Sequence, residues 1–194
     1  MLHVAAGACL QLSMPLAARA RDVSCEIHMP TLPSGQCLEL REDANIYDSS
    51  YDLLADAISV GGSLWPSAAM LCRYLRDMPN IRGSSVMELG SGTGACGIYS
   101  AALGASRVLL TDGSSALQTL QLANVGANEH LFDKSTLVST AHYLWGQSLP
   151  DGAANFDFVI GSDLSELVTH RSNALRFKPP ALLLGCPLTP CLSC

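Results

Sequence analysis

Residues 86–94 read VMELGSGTG, and this stretch decides the fold. Residues 85–89 (SVMEL) read as a short apolar strand that ends in a turn carrying Gly90, Gly92 and Gly94. Residues 95–103 (ACGIYSAAL) then read as a helix that Gly104 can cap. Glycine lets a backbone take positive φ and lets a ligand approach the main chain. A glycine turn between a strand and a helix is where open parallel sheets bind ligands, outside the carboxyl ends of the strands.

Working outward, the alternation continues. Residues 107–111 (RVLLT) form a second strand, and residues 115–125 a helix with Ser114 or Ser115 as its cap. Residues 136–140 (TLVST) form a third strand, 147–155 a polar loop, and 156–161 (FDFVIG) a fourth strand. Upstream, 37–43 (CLELRED) alternates apolar and polar residues and predicts a short strand. Pro66 opens a helix over 66–78, with Leu71, Tyr74, Leu75 and Met78 at helical spacing and Pro79 ending it. The expected class is α/β, a Rossmann-like parallel sheet with helices on both faces. Strands that are apolar throughout fit such double burial.

Two cofactors compete for the turn. Gly92, Gly94 and Gly97 satisfy G-x-G-x-x-G, and Asp112 follows Gly92 by about twenty residues, as in a dinucleotide fingerprint. Against this stands Glu88. A carboxylate ending the first strand would face a pyrophosphate, and like charges in a partly dry site are costly. S-adenosylmethionine carries an ammonium and a sulfonium, so an acid is favourable beside it. Asp112, ending the second strand, can accept hydrogen bonds from both ribose hydroxyls. A tight glycine turn with no ligand is the third reading.

The chain has 194 residues, 48% hydrophobic and 14% charged, with a formal net charge of −6. That is enough for one domain with a substantial core, and it argues against disorder. Basic residues form no cluster able to grip a phosphate backbone, so no nucleic-acid partner is expected; a negative surface suits a basic protein partner. The eight cysteines (Cys9, Cys25, Cys37, Cys72, Cys96, Cys186, Cys191, Cys194) do not form CxxC pairs at zinc-ribbon spacing and read as reduced cytosolic thiols. No metal site is expected, since no histidine lies near the tail cysteines. Residues 1–25 are expected to be a poorly ordered segment. Its apolar stretch is broken by Gln11, Ser13 and Pro15, too short to span a bilayer, and no membrane association is expected. An organelle transit peptide is the minor alternative to a cytoplasmic location, with nuclear residence also open.

ELGSGTG followed by LLTD resembles the first two cofactor motifs of seven-strand (class I) methyltransferases. LWPSAAMLCRYL (64–75), LQLANVGAN (120–128), YLWG (143–146) and FDFVIGSD (156–163) resemble, in order, further segments of the methyltransferase-like protein-lysine methyltransferases, methyltransferase family 16. The resemblance covers about residues 38–166 and implies a domain over 26–194 that uses S-adenosyl-L-methionine to methylate a protein side chain, lysine foremost. It implies that Trp65 lies against the cofactor and that the Gly90–Ser91–Gly92 turn, with Gly94 beyond it, binds the methionine end. Asp112 would hold the ribose, and Trp145 and Ser162 would flank the adenine or the adjoining backbone. Asp163 would be the catalytic carboxylate.

The sequence departs from the family in two places. The fourth strand continues as Asp163, Leu164, Ser165, Glu166, with Glu166 where the family carries an aromatic residue. After about residue 176 the similarity fades. A fifth strand is expected at 181–184, and the sixth and seventh are expected to be missing, leaving the domain incomplete. A catalytically inactive binding module is therefore the alternative to an enzyme. Oligomeric state is not legible.

Overall fold

The computed structural model of the chain describes residues 27–43, 46, 60–145, 147–148 and 155–164. The expectations for residues 1–25, for a fifth strand at 181–184, for Glu166 and for the tail cysteines lie outside these residues.

Four strands, β1 (Ser85–Leu89), β2 (Arg107–Asp112), β3 (Leu137–His142) and β4 (Phe158–Ile160), form one parallel sheet in the order β3-β2-β1-β4. Helices α1 (Pro66–Arg76), α2 (Ala95–Ala102) and α3 (Leu117–Asn128) accompany them. From β1 the chain steps outward to β2 and β3, then returns to the far side of β1 for β4. The strand order thus reverses between β1 and β4, and a crevice opens at the carboxyl ends of such a pair. At the opposite, amino ends Asp157 fixes β4 to β1: its carboxylate accepts hydrogen bonds from the Ser85 backbone N–H and hydroxyl, both at 2.7 Å.

The register sorts the side chains onto two faces. Val86 and Glu88 lie beside Val108 and Leu110 on β2 and beside Phe158 and Ile160 on β4. This face meets the buried residues of α1, α2 and α3, including Leu71, Leu75, Cys96, Ile98 and Val125. Burying a large aliphatic side chain of this kind contributes ~1.5–3 kcal/mol. Met87, Leu89, Leu109 and Val159 point the other way and form a second cluster with Tyr143, against which Trp145 and Leu164 pack. The three described helices thus serve one face.

Pro66 opens α1, and α2 ends where Gly104, at φ 97°, turns the chain left-handed. There the N–H groups of Gly104 and Ala105 donate to the carbonyls of Ala101 and Ser100, closing the orphan ends of the helix. Two expectations need correction. α3 starts at Leu117 rather than 115, with Ala116 and not a serine in the capping position. The carbonyls of Ser114 and Ser115 instead accept from Leu117 and Gln118. The segment 37–43 is in no strand. Leu38 and Leu40 do pack against the core, as the alternation implies. The main-chain partners of residues 39 and 41, however, are side-chain amides of α3.

Candidate functional site

The glycine turn leaves β1 at its carboxyl end, with Gly90, Gly92 and Gly94 all at positive φ. Gly92 shows why no side chain fits: at φ 50°, an added Cβ would also lie 2.7 Å from the Gly61 carbonyl oxygen. The 3-10 turn Val60–Gly62 therefore presses directly on the glycine turn, a contact the sequence did not suggest.

The turn is held on several sides. The Gly92 N–H donates to Asp112 Oδ2 at 2.9 Å, and the Ser114 N–H to Asp112 Oδ1 at 3.0 Å. Burial pushes the Asp112 carboxyl above its ordinary pKa, opposed by these backbone hydrogen bonds. The Ser91 hydroxyl donates to the Thr111 carbonyl at 3.1 Å and accepts from Gln121 Nε2 at 3.0 Å. Gln121 Nε2 also donates to the Gly92 carbonyl at 3.2 Å. That second bond fixes the amide orientation, because only the nitrogen can donate. Gln121 Oε1 is then buried with no partner among the described residues. Asn124 Nδ2 donates to the Thr93 carbonyl at 3.0 Å.

Glu88 sits beneath the turn rather than in an open wall. It is 2% exposed, on the helix-covered face between Leu110 and Ile160. Its Oε2 accepts the Gly97 N–H at 2.8 Å. Desolvation raises its pKa from 4.5 to about 7, with the Gly97 hydrogen bond acting against the rise. Gly97 makes this contact possible: an added Cβ would lie 2.2 Å from Leu110 Cδ2 and 2.9 Å from Glu88 Oε2. The glycine that completed the dinucleotide pattern is thus explained by close packing of α2 on the sheet. Beside Glu88, Cys96 is fully buried and its thiol pKa is raised, chiefly by the neighbouring Cys72 thiol and by burial.

The end of β4 closes the crevice. Ser162 Oγ lies 3.9 Å from Cys96 Sγ, at the start of α2. Asp163 is the one described non-glycine residue at positive φ, 56°. Its Oδ1 accepts the Ser67 hydroxyl of α1 at 2.6 Å, while Oδ2 is buried without a partner among the described residues. A strained backbone together with an unsatisfied buried carboxylate oxygen is characteristic of functional sites. Leu164 and Trp145 flank Gly90, where an added Cβ would meet Leu164 Cδ2 at 2.5 Å and Trp145 Cζ2 at 3.6 Å. Trp65 occupies the N-cap position of α1 and is 41% exposed.

Glu88, Gly90, Ser91, Gly92, Gly94, Asp112, Trp145, Ser162 and Asp163 therefore converge around the carboxyl ends of β1, β2 and β4. Trp65 reaches this region through the start of α1, where Ser67 binds Asp163. A groove of about 590 Å³ lined by Arg82, Ser84, Phe156 and Asp157 lies at the opposite, amino ends of β1 and β4 and shares no residue with the turn. The glycine-turn end carries the convergent acids and is the candidate site. Sequence reading missed Ser67, Gly61, Gln121 and Asn124. Only the last two left a signal: with Asn128 they are polar residues at helical spacing among apolar ones, within the segment LQLANVGAN.

An acid-rich crevice over a glycine bend fits a small ligand bearing positive charge. A family model described as lysine methyltransferase matches residues 53–170. Protein N-lysine methyltransferase METTL21A of Xenopus tropicalis is 38% identical over 110 residues, 55% of this chain and 48% of that protein. EEF1A lysine methyltransferase 3 of Xenopus tropicalis is 33% identical over 108 residues, 55% of this chain and 46% of that protein. The chain spans about half the length of the curated relatives it matches. Among solved structures, magnesium protoporphyrin IX methyltransferase from Synechocystis PCC 6803 with bound SAH gives a TM-score of 0.41 at 22% identity, covering 50% of this chain and 41% of that one.

Proposed function

The chain belongs to the lysine methyltransferase family, and from that premise we propose that it binds S-adenosylmethionine at the glycine turn and methylates a protein side chain, lysine foremost. The observation that carries the reading is the pair of acids at the strand ends, Glu88 under the turn and Asp112 bonded to Gly92. They favour a sulfonium over a pyrophosphate.

In this reading the Gly90–Ser91–Gly92 turn and Gly94 hold the methionine end. Asp112 turns a carboxylate to the ribose hydroxyls, Trp145 and Ser162 flank the adenine, and Trp65 covers the cofactor. The bound cofactor supplies a methyl group on a sulfonium, with an uncharged thioether as leaving group. The protein's work is to hold donor and acceptor in line and to exclude competing nucleophiles. Asp163 is suited to the acceptor: Ser67 fixes one carboxylate oxygen, and the other, with no partner among the described residues, is placed to orient an amine N–H and assist proton loss to water.

The test is transfer of a labelled methyl group. Incubation of the purified chain with labelled cofactor and cell lysate is expected to give labelled protein bands, with the label in methyl-lysine after hydrolysis. Label in no protein, from a chain that binds the cofactor, would count for the second reading. That reading, an inactive binding module of the same fold, is favoured by Glu166 standing where the family has an aromatic residue. Label in methyl-histidine or methyl-arginine would keep the enzyme and correct the acceptor. A cytoplasmic location goes with the proposal, supported by Cys72 and Cys96 lying buried among apolar neighbours as reduced thiols do.

A further inference from the structure

Asn124 and Asn128 are fully buried on α3, four residues apart on one helix face. Each amide pairs with both main-chain groups of one residue in the segment 37–43. Asn128 Oδ1 accepts the Glu39 N–H at 2.9 Å and its Nδ2 donates to the Glu39 carbonyl at 2.7 Å. Asn124 Oδ1 accepts the Arg41 N–H at 2.8 Å and its Nδ2 donates to the Arg41 carbonyl at 3.1 Å. The spacings match: four helical residues rise ~6 Å, close to the ~6.5 Å between residues i and i+2 of an extended chain. An asparagine amide also offers the same acceptor and donor as a strand's peptide group. The two side chains therefore pair with this segment as a neighbouring strand would.

The segment they hold leads to the glycine turn. The Asp43 N–H donates to the Gly62 carbonyl at 2.9 Å, and Glu42 Oε1 accepts the Leu64 N–H. Gly62 adjoins Gly61, whose carbonyl presses on Gly92. Asn124 closes the circuit from the other side through the Thr93 carbonyl.

We propose that Asn124 and Asn128 are positioning residues for the cofactor site: they fix residues 39–43, and through them the Val60–Gly62 turn, against the glycine bend. The inference rests on the cofactor reading above. Asn128 is the cleaner probe, because it touches the glycine turn only through Asn124 and Glu39.

The experiment is calorimetric titration of S-adenosylhomocysteine into the full chain, its Asn128→Ala variant and its Asn128→Asp variant, with circular dichroism as the check on folding. Both variants are expected to bind at least about fivefold more weakly than the parent chain. The aspartate keeps an acceptor for Glu39 but sets a carboxylate oxygen against two carbonyls. A lower melting temperature with unchanged affinity, in a folded variant, would mean a structural role alone and would overturn the proposal. If the parent chain itself fails to bind, the cofactor reading falls and this inference with it. Should neither variant fold, hydrogen exchange on the parent chain decides. Saturation with S-adenosylhomocysteine is expected to slow exchange at residues 37–43 more than in β2, and an equal or smaller effect there would overturn the proposal.

Discussion

Replacing Glu88 by glutamine is expected to stabilise the protein, and to do so increasingly as the pH rises. The carboxyl is 2% exposed and its pKa is raised from 4.5 to about 7, mainly by desolvation. A group with a raised folded-state pKa contributes stability that is fully present below the unfolded value and is lost as pH climbs through the folded one. The rise from 4.5 to about 7, at 1.36 kcal/mol per pH unit, corresponds to about 3 kcal/mol lost by pH 8.5. About 2 kcal/mol of that loss develops between pH 5.5 and 8.5. Glutamine keeps an oxygen for the Gly97 N–H and carries no charge to desolvate. The Asp112 charge adds a smaller share to the rise at Glu88, and that repulsion also disappears in the variant. For a chain of this size, ~3 kcal/mol is worth roughly 6–12 °C in melting temperature. Melting curves of the two proteins across pH 5.5–8.5 should therefore diverge, with the variant higher throughout. Parallel curves would refute the claim that Glu88 ionises in a desolvated site.

The same carboxylate should couple binding to pH: affinity for S-adenosylmethionine is expected to rise from pH 6 to 8 more than affinity for the neutral-sulfur product, and calorimetry in buffers of different ionisation enthalpy should show proton release. Gly97→Ala is expected to destabilise the fold by ~1–3 kcal/mol in urea titrations, since its Cβ would lie 2.2 Å from Leu110 Cδ2; a loss under 0.5 kcal/mol would mean that α2 can move off the sheet. Asp112→Ala should weaken S-adenosylhomocysteine binding at least about tenfold, because a charged hydrogen-bond partner is worth ~1.5–3 kcal/mol. An unchanged affinity would remove Asp112 from the site. Asp163→Asn should leave that affinity within about twofold while cutting labelled methyl transfer at least about a hundredfold, and retained transfer would deny the carboxylate its role.

The strand, turn and helix at 85–102 were legible because each uses a local rule: an apolar run, glycines where φ is positive, and a glycine to end the helix. The position of Asp112 at the end of β2 followed from the same alternation. The segment 37–43 shows where such rules stop. Its two-residue period correctly marked Leu38 and Leu40 as inward, but periodicity reports which side is buried and not what pairs with the main chain. Two asparagines from a helix some eighty residues away supply that pairing, and only the tertiary fold brings them there. Glu88 was legible as an acid beside the turn. Its burial under α2 depends on Gly97 letting the helix sit close, which composition does not reveal. The Ser67–Asp163 bond joins residues 96 positions apart and left no local trace.

The preference of an acid-rich glycine bend for a sulfonium-type ligand over a dinucleotide is tested most directly by crystals of the chain soaked with S-adenosylhomocysteine and NAD at equal concentration. Density for the thioether ligand, with its ribose hydroxyls on Asp112 and its amino-acid end along residues 90–94, is the predicted result. Density for a pyrophosphate lying on those same residues would contradict it.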